Sequence, residues 1–110
     1  MPAGFILRRT ANGQYLFNLT AANGKIILTS EQYRDKSGAQ AGIASVRVNC
    51  AADAHYDRRT SSAGQPYFVL LAANREIIGR SEMYSSRSAM ERGIASVKRN
   101  GRKAALRDEA

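Results

Sequence analysis

Two tetrapeptides of matching chemistry, Ser30-Glu31-Gln32-Tyr33 and Ser81-Glu82-Met83-Tyr84, each bring together a hydroxyl, a carboxylate and a phenol. Such a set suits a polar pocket that binds a small ligand or handles a proton. It also suits a purely architectural role: the serine and glutamate bond turn backbone, and the tyrosine packs beneath a helix with its hydroxyl at the rim. His55 and Asp57 flank Tyr56 and share one face of a presumed strand. A catalytic histidine needs a nucleophile aimed at it, and the chain has neither a Gly-x-Ser-x-Gly elbow nor a Gly-x4-Gly-Lys-Ser phosphate loop. The only cysteine, Cys50, rules out an internal disulfide, and with a single histidine the chain cannot build a His/Cys-only metal site. Cys50 ends an apolar helical stripe and reads as a small buried residue rather than a reactive thiol. No catalytic, metal or cofactor set emerges, and the chain is expected not to be an enzyme.

Charge offers a second chemistry. Lys and Arg number 17 against 9 Asp and Glu, a net charge of +8. Both halves are basic, so this is not a neutral domain with a charged tail. The densest feature is Lys98-Arg99-Asn100-Gly101-Arg102-Lys103. Cations here oppose the negative end of a helix dipole, worth about 0.3–1 kcal/mol. Lys98, Arg99, Arg102 and Lys103 also make a candidate surface for an anionic partner, nucleic acid included. Gly64-Gln-Pro-Tyr-Phe-Val-Leu lacks the Lys/Arg-Gly-Phe pattern of an RNA-recognition sheet.

The elements that carry these groups come from an internal repeat. Residues 5–49 align without a gap on 56–100, and 20 of the 45 positions are identical. The identities cluster in Leu19-x-Ala-Ala-Asn23, Ile26-Ile27, Ser30-Glu31-x-Tyr33 and Gly42-Ile-Ala-Ser-Val46, recurring 51 residues later. In each copy a short strand, an Asn-Gly or equivalent turn, a period-2 strand with Phe17, Leu19 and Ala21 on one side, a second turn and a β-branched strand lead to a helix. The helices are expected over roughly 38–48 and 89–99. Ser37-x-x-Gln40 and Ser88-x-x-Glu91 read as capping boxes, with Asp35 and Ser86 as rival caps. Ala39, Ile43, Val46 and Cys50, matched by Met90, Ile94, Val97 and Gly101, form the buried stripe. Gly42 and Gly93 each cost about 1 kcal/mol mid-helix, which suggests close approach of the helix to the sheet. Asn49 and Asn100 fit helix termination. In the second turn Arg75 replaces Gly24, which puts a plain type I′ turn in doubt there, with Asn74 as the residue to take the left-handed conformation.

One unit of about 50 residues buries too little surface to be secure alone, so residues 1–110 are expected to form a single domain. Segments 53–60 and 104–108 read as strands closing each unit. The expected class is α+β: two tandem β3-α-β repeats sharing one antiparallel sheet, with two helices on one face. Between the core positions of the middle strand lie Leu16, Asn18 and Thr20 in one copy and Tyr67, Val69 and Leu71 in the other. On a helix-free face, Tyr67, Val69, Leu71 and Leu16 form a candidate patch for a protein partner or self-association, unless a curled sheet or the terminal strand covers them. Apolar runs are far shorter than the roughly 20 residues a membrane helix needs, and no signal peptide is recognised. A cytoplasmic protein is expected.

The paired signature Asn-Gly-x-Ile-Ile, Ser-Glu-x-Tyr and Gly-Ile-Ala-Ser-Val-Arg/Lys-x-Asn resembles the YegP-like family of small bacterial proteins, over about residues 4–108. The resemblance implies tandem or dimeric β3-α-β units in one antiparallel sheet with exchanged C-terminal strands. It brings no catalytic residues and no cofactor. The expected function is a non-enzymatic interaction module using the sheet face, the basic helix face or both. The rival is a small-ligand binder or enzyme built on Ser30, Glu31, Tyr33, Ser81, Glu82 and Tyr84. A deep pocket beside Glu31 or Glu82 favours the rival; a flat apolar sheet face without a cleft favours the module.

Overall fold

Because the local signals occur twice, the elements do too. The computed structural model describes residues 2–110. The first copy supplies β1 (Gly4–Arg9), β2 (Tyr15–Thr20), β3 (Ile26–Ser30) and α1 (Lys36–Asn49). The second supplies β4 (Tyr56–Thr60), β5 (Pro66–Leu71), β6 (Ile77–Arg80) and α2 (Arg87–Asn100), and β7 (Ala105–Asp108) follows. All seven strands join one sheet in the order β4-β5-β6-β3-β2-β1-β7. Every pairing is antiparallel except β1 with β7, which is parallel. The uniform antiparallel expectation fails there because the chain arrives at β7 from the end of α2, a crossover connection that sets it alongside β1 in the same direction. Residues 53–60 likewise add no separate closing strand to the first unit. Asp53–His55 form a 3-10 turn and the rest is β4 itself.

The copies meet at β3 and β6, where Thr29 pairs with Arg80, its own counterpart. A pseudo-twofold axis therefore passes through this pair. One row of residues crosses all seven strands there: Asp57, Val69, Arg80, Thr29, Asn18, Ile6 and Arg107. The opposite face carries both helices. Phe5, Phe17, Leu19, Phe68 and Leu70 from the sheet join Ile43, Val46, Met90, Ile94 and Val97 from the helices in one core cluster. Aromatic ladders repeat within it. Phe5 meets Phe17 edge-on and Phe17 stacks on Tyr33; Tyr56, Phe68 and Tyr84 repeat the arrangement.

Several local expectations are corrected. Asp35 and Ser86 are the N-caps, accepting from the amides of Gly38 and Ala89. The helices thus begin two residues before Gly38 and Ala89, ahead of the proposed capping boxes. The helices do end at Asn49 and Asn100, as expected, but neither takes a left-handed cap; each side chain bonds back to the carbonyl and hydroxyl of Ser45 or Ser96. The hairpin turns put only their last residue in the left-handed region, Gly13, Gly24, Gly64 and Arg75 (φ +70°). That is a type I turn with an αL residue, not type I′, which needs two positive φ values. Arg75, not Asn74, therefore carries the strained conformation.

Candidate ligand grooves at the repeat boundary

Each Ser-Glu-x-Tyr connector leaves a strand of its own copy and crosses beside the hairpin of the other. Two grooves result, related by the pseudo-twofold axis. One, of about 420 Å³, runs between Glu31, Tyr33, Gly42 and Ser45 of the first copy and Ala72, Asn74, Glu76, Ile77 and Ile78 of the second. Its twin, of about 620 Å³, runs between Glu82, Tyr84, Gly93 and Ser96 of the second copy and Ala21, Asn23, Lys25, Ile26 and Ile27 of the first. Both volumes fall in the range of small-molecule sites, roughly 300–1,000 Å³. Eight of the 20 positions identical between the copies line both grooves. The helix glycine, the connector tyrosine and the Ala-Ala-Asn…Ile-Ile hairpin line both grooves.

The roles within the motif separate cleanly. Ser30 Oγ accepts from the Phe17 amide at 2.9 Å and donates to the Glu31 carbonyl at 2.8 Å. Ser81 does the same with Phe68 and Glu82 at 3.0 and 2.8 Å. These hydroxyls are committed to backbone and hold the connector on the sheet. The tyrosine rings pack half-buried against the helices at the glycines: the Tyr33 phenol occupies the place of a side chain on Gly42, and that of Tyr84 the place of one on Gly93. The mid-helix glycines thus admit a tyrosine, not the sheet backbone. Burial first, then the neighbouring glutamate, pushes both phenols above the ordinary tyrosine range. They stay neutral donors at physiological pH and are poor general bases. Glu31 and Glu82 are exposed at the groove mouths. Asn23 and Asn74 accept from the amides of Lys25 and Glu76 through Oδ1, which leaves the side-chain NH₂ of each for a ligand.

Sequence reasoning missed the hairpin residues as groove walls. Their signal was present, since Ala-Ala-Asn and Ile-Ile are among the best-matched segments, but nothing local says that a hairpin faces the other copy's connector.

The remaining candidate residues fall elsewhere. Val69 is fully buried and Leu71 is 5% exposed, although both lie on the helix-free face. Val69 sits between Asp57 and Arg80 on the flanking strands. Such cross-strand neighbours cover a β-branched residue on a twisted sheet. The expected apolar patch is therefore not presented to solvent there; Tyr67 and Leu16 are half-buried. His55 is not aligned with Asp57, because its Nδ1 donates to the Leu71 carbonyl at 2.8 Å while Asp57 pairs with Arg59. Cys50 is buried, and burial raises its thiol above the ordinary range. Of the basic cluster, Lys98 is already engaged: its Nζ lies 2.9 Å from Asp53 Oδ1 and above the Tyr56 ring. Asp53 also meets Arg58, which reaches Glu91. These two cations hold the Asp53 carboxyl at about 2. Arg99, Arg102 and Lys103 are exposed, without a carboxylate partner among the described residues. No group of three metal-ligating side chains occurs among the described residues.

A family model described as a domain of unknown function, DUF1508, matches residues 11–57 and again 61–108, one match per copy. The chain belongs to the DUF1508 family. Its similarity to individual UPF0339 proteins runs nearly end to end. It is 50% identical to a UPF0339 protein of Bordetella pertussis over 97% of this chain and 96% of that one. It is 46% identical to the UPF0339 protein YegP of Escherichia coli K12 over 98% of each. The solution structure of E. coli YegP superposes with a TM-score of 0.93, covering 99% of this chain and 94% of that one. That of a Shewanella oneidensis UPF0339 protein gives 0.91 at 45% identity, over 98% and 92%. The resemblance read from the paired signature is thus confirmed, and so is the α+β class. The DUF1508 family is uncharacterised, and among the described residues no helix is long and apolar enough to cross a membrane.

Proposed function

We propose that this protein is a non-enzymatic small-ligand binder whose sites are the two grooves at the repeat boundary. The observation that carries the reading is the convergence of Glu31, Tyr33 and Gly42 with Ala72, Asn74 and Ile78 on one groove and of their counterparts on the other. Each groove offers an apolar floor of isoleucine and alanine with a carboxylate, a neutral phenol and an amide at its edges. That is the usual make-up of a site that seats an apolar body and fixes one polar end. The phenols are held neutral and donate, which supports recognition of a ligand's polar end. Burial of Val69 and Leu71 weakens the competing reading of the sheet face as an apolar docking patch.

The test is titration of ¹⁵N-labelled protein with benzyl alcohol as a neutral probe, followed by amide chemical shifts. Shifts confined to 31–45 with 72–78, and to 82–96 with 21–27, are expected. Shifts scattered over the surface, or confined to the helix-free face, overturn the assignment.

A second reading rests on Arg99 in the last turn of α2 and Arg102 and Lys103 just beyond it, three exposed cations without a carboxylate partner among the described residues: contact with an anionic polymer. On duplex DNA, affinity should fall by about 0.9 log units per log unit of salt for each phosphate neutralised. With Lys98 engaged by Asp53, a slope near three phosphates is expected. No binding at low salt removes this reading.

A further inference from the structure

The two grooves share a skeleton but not a charge. Position for position, Lys25 in the larger groove stands where Glu76 stands in the smaller, and Arg92 where Ala41 stands. Glu82 and Glu31 occupy matching mouths. The larger groove thus carries two cations against one carboxylate, and the smaller carries two carboxylates with no cation on its walls. Among the described residues neither Lys25 nor Arg92 is spent in an ion pair, and Arg92 donates to Ser88 Oγ at 3.0 Å. The larger groove also has an extended apolar rim, since Ile26 and Met83 are 36% and 43% exposed.

Resting on the groove reading above, we infer that duplication has split ligand preference by charge: the Lys25/Arg92 groove takes a small molecule with an apolar body and a carboxylate or phosphate, and the Glu31/Glu76 groove rejects it. Both halves follow from Coulomb attraction at a partly enclosed surface, which weakens with added salt. The apolar body lies on the Ile26–Ile27 and Met83 side, and the anionic group lies between Lys25 Nζ and the Arg92 guanidinium. Phenol and amide donors serve equally in both grooves, so charge is what separates them.

The experiment titrates the intact ¹⁵N-labelled protein with benzoate, phenyl phosphate, benzylammonium and benzyl alcohol. The two anions are expected to shift amides around 23–27, 82–85 and 92–96 with at least about tenfold tighter binding than around 31–42 and 72–78. A stronger response to phenyl phosphate than to benzoate identifies the phosphate as the natural group, and the reverse identifies the carboxylate. Lys25→Glu with Arg92→Ala, which copies the other groove, should abolish the preference. Glu76→Lys with Ala41→Arg should create it in the smaller groove. All four substitutions are at solvent-exposed positions, and unchanged amide dispersion confirms folding. If both grooves bind anion, cation and alcohol alike, or the Lys25/Arg92 variant keeps its preference, the charge split is wrong while the groove reading stands. If benzyl alcohol and the charged probes all leave both grooves unshifted, the groove reading itself fails.

Discussion

Cys50 Sγ fills the space that a side chain on Gly101 would need: a Cβ built on Gly101 stands 2.7 Å from it. The two residues are the same position of the two copies, brought face to face near the pseudo-twofold axis. Leu28 and Gly79 are a second pair of counterparts in contact: Leu28 Cγ stands 3.2 Å from a Cβ on Gly79, although the Thr29 carbonyl oxygen is nearer at 2.8 Å. Where counterparts point at each other near such an axis, their side chains compete for one volume. Duplication within a single chain lets one copy keep the side chain and the other lose it.

The first prediction tests that packing. Gly101 has φ −62°, which any residue adopts, so alanine there is opposed by contacts alone: Cys50 Sγ at 2.7 Å and the Val97 carbonyl oxygen at 2.9 Å from its Cβ. Gly101→Ala should destabilise the protein by about 1–3 kcal/mol in urea unfolding, as overpacking does. Adding Cys50→Gly should recover most of the loss. A neutral single substitution would show that the helix ends have room to separate.

The second concerns the groove floor. Gly93→Ala gains about 1 kcal/mol of helix propensity but drives a methyl into the Tyr84 phenol. Net destabilisation of about 1–3 kcal/mol is expected, partly rescued by Tyr84→Phe. Gly42→Ala with Tyr33→Phe should behave alike. A rise in melting temperature for the single Gly93 variant would mean that the ring moves aside freely.

Arg75 provides the third. A non-glycine residue in the left-handed region costs roughly 1–2 kcal/mol, and Arg75 offsets it only with an exposed hydrogen bond to the Ala54 carbonyl at 3.0 Å. Arg75→Gly should raise the melting temperature, with a gain of at most about 1 kcal/mol. A lower melting temperature would show the Ala54 contact to be the stronger effect.

Acid stability gives the fourth. Hydrogen bonds from Arg58 and Lys98 hold Asp53 at about 2, and Arg58 lowers Glu91. A carboxylate depressed in the folded state adds stability that is complete above its unfolded value, near 4, and is lost as pH falls through the folded value. Between about pH 4 and pH 2 the wild type should therefore lose melting temperature more steeply than Asp53→Asn. Superimposable acid limbs would show the cluster to be loosely held.

The residues themselves declared the duplication, the strand and helix order, the buried helical stripe and the family, because each rests on local periodicity or on the comparison of one copy with the other. Local signals also identified Ser30 and Tyr33 with their counterparts as a repeated unit. They did not decide between rival caps separated by two residues, nor locate the strained turn residue, since those depend on where the chain is already held. The direction of β7 was illegible because pairing partners far apart in sequence are chosen by the crossover, not by composition. Burial of Val69 was illegible because sheet twist and cross-strand neighbours set it. The grooves belong wholly to the tertiary structure. Each needs the connector of one copy against the hairpin of the other, a juxtaposition created only when β3 and β6 pair across the axis and bring residues 27 to 75 positions apart around one groove.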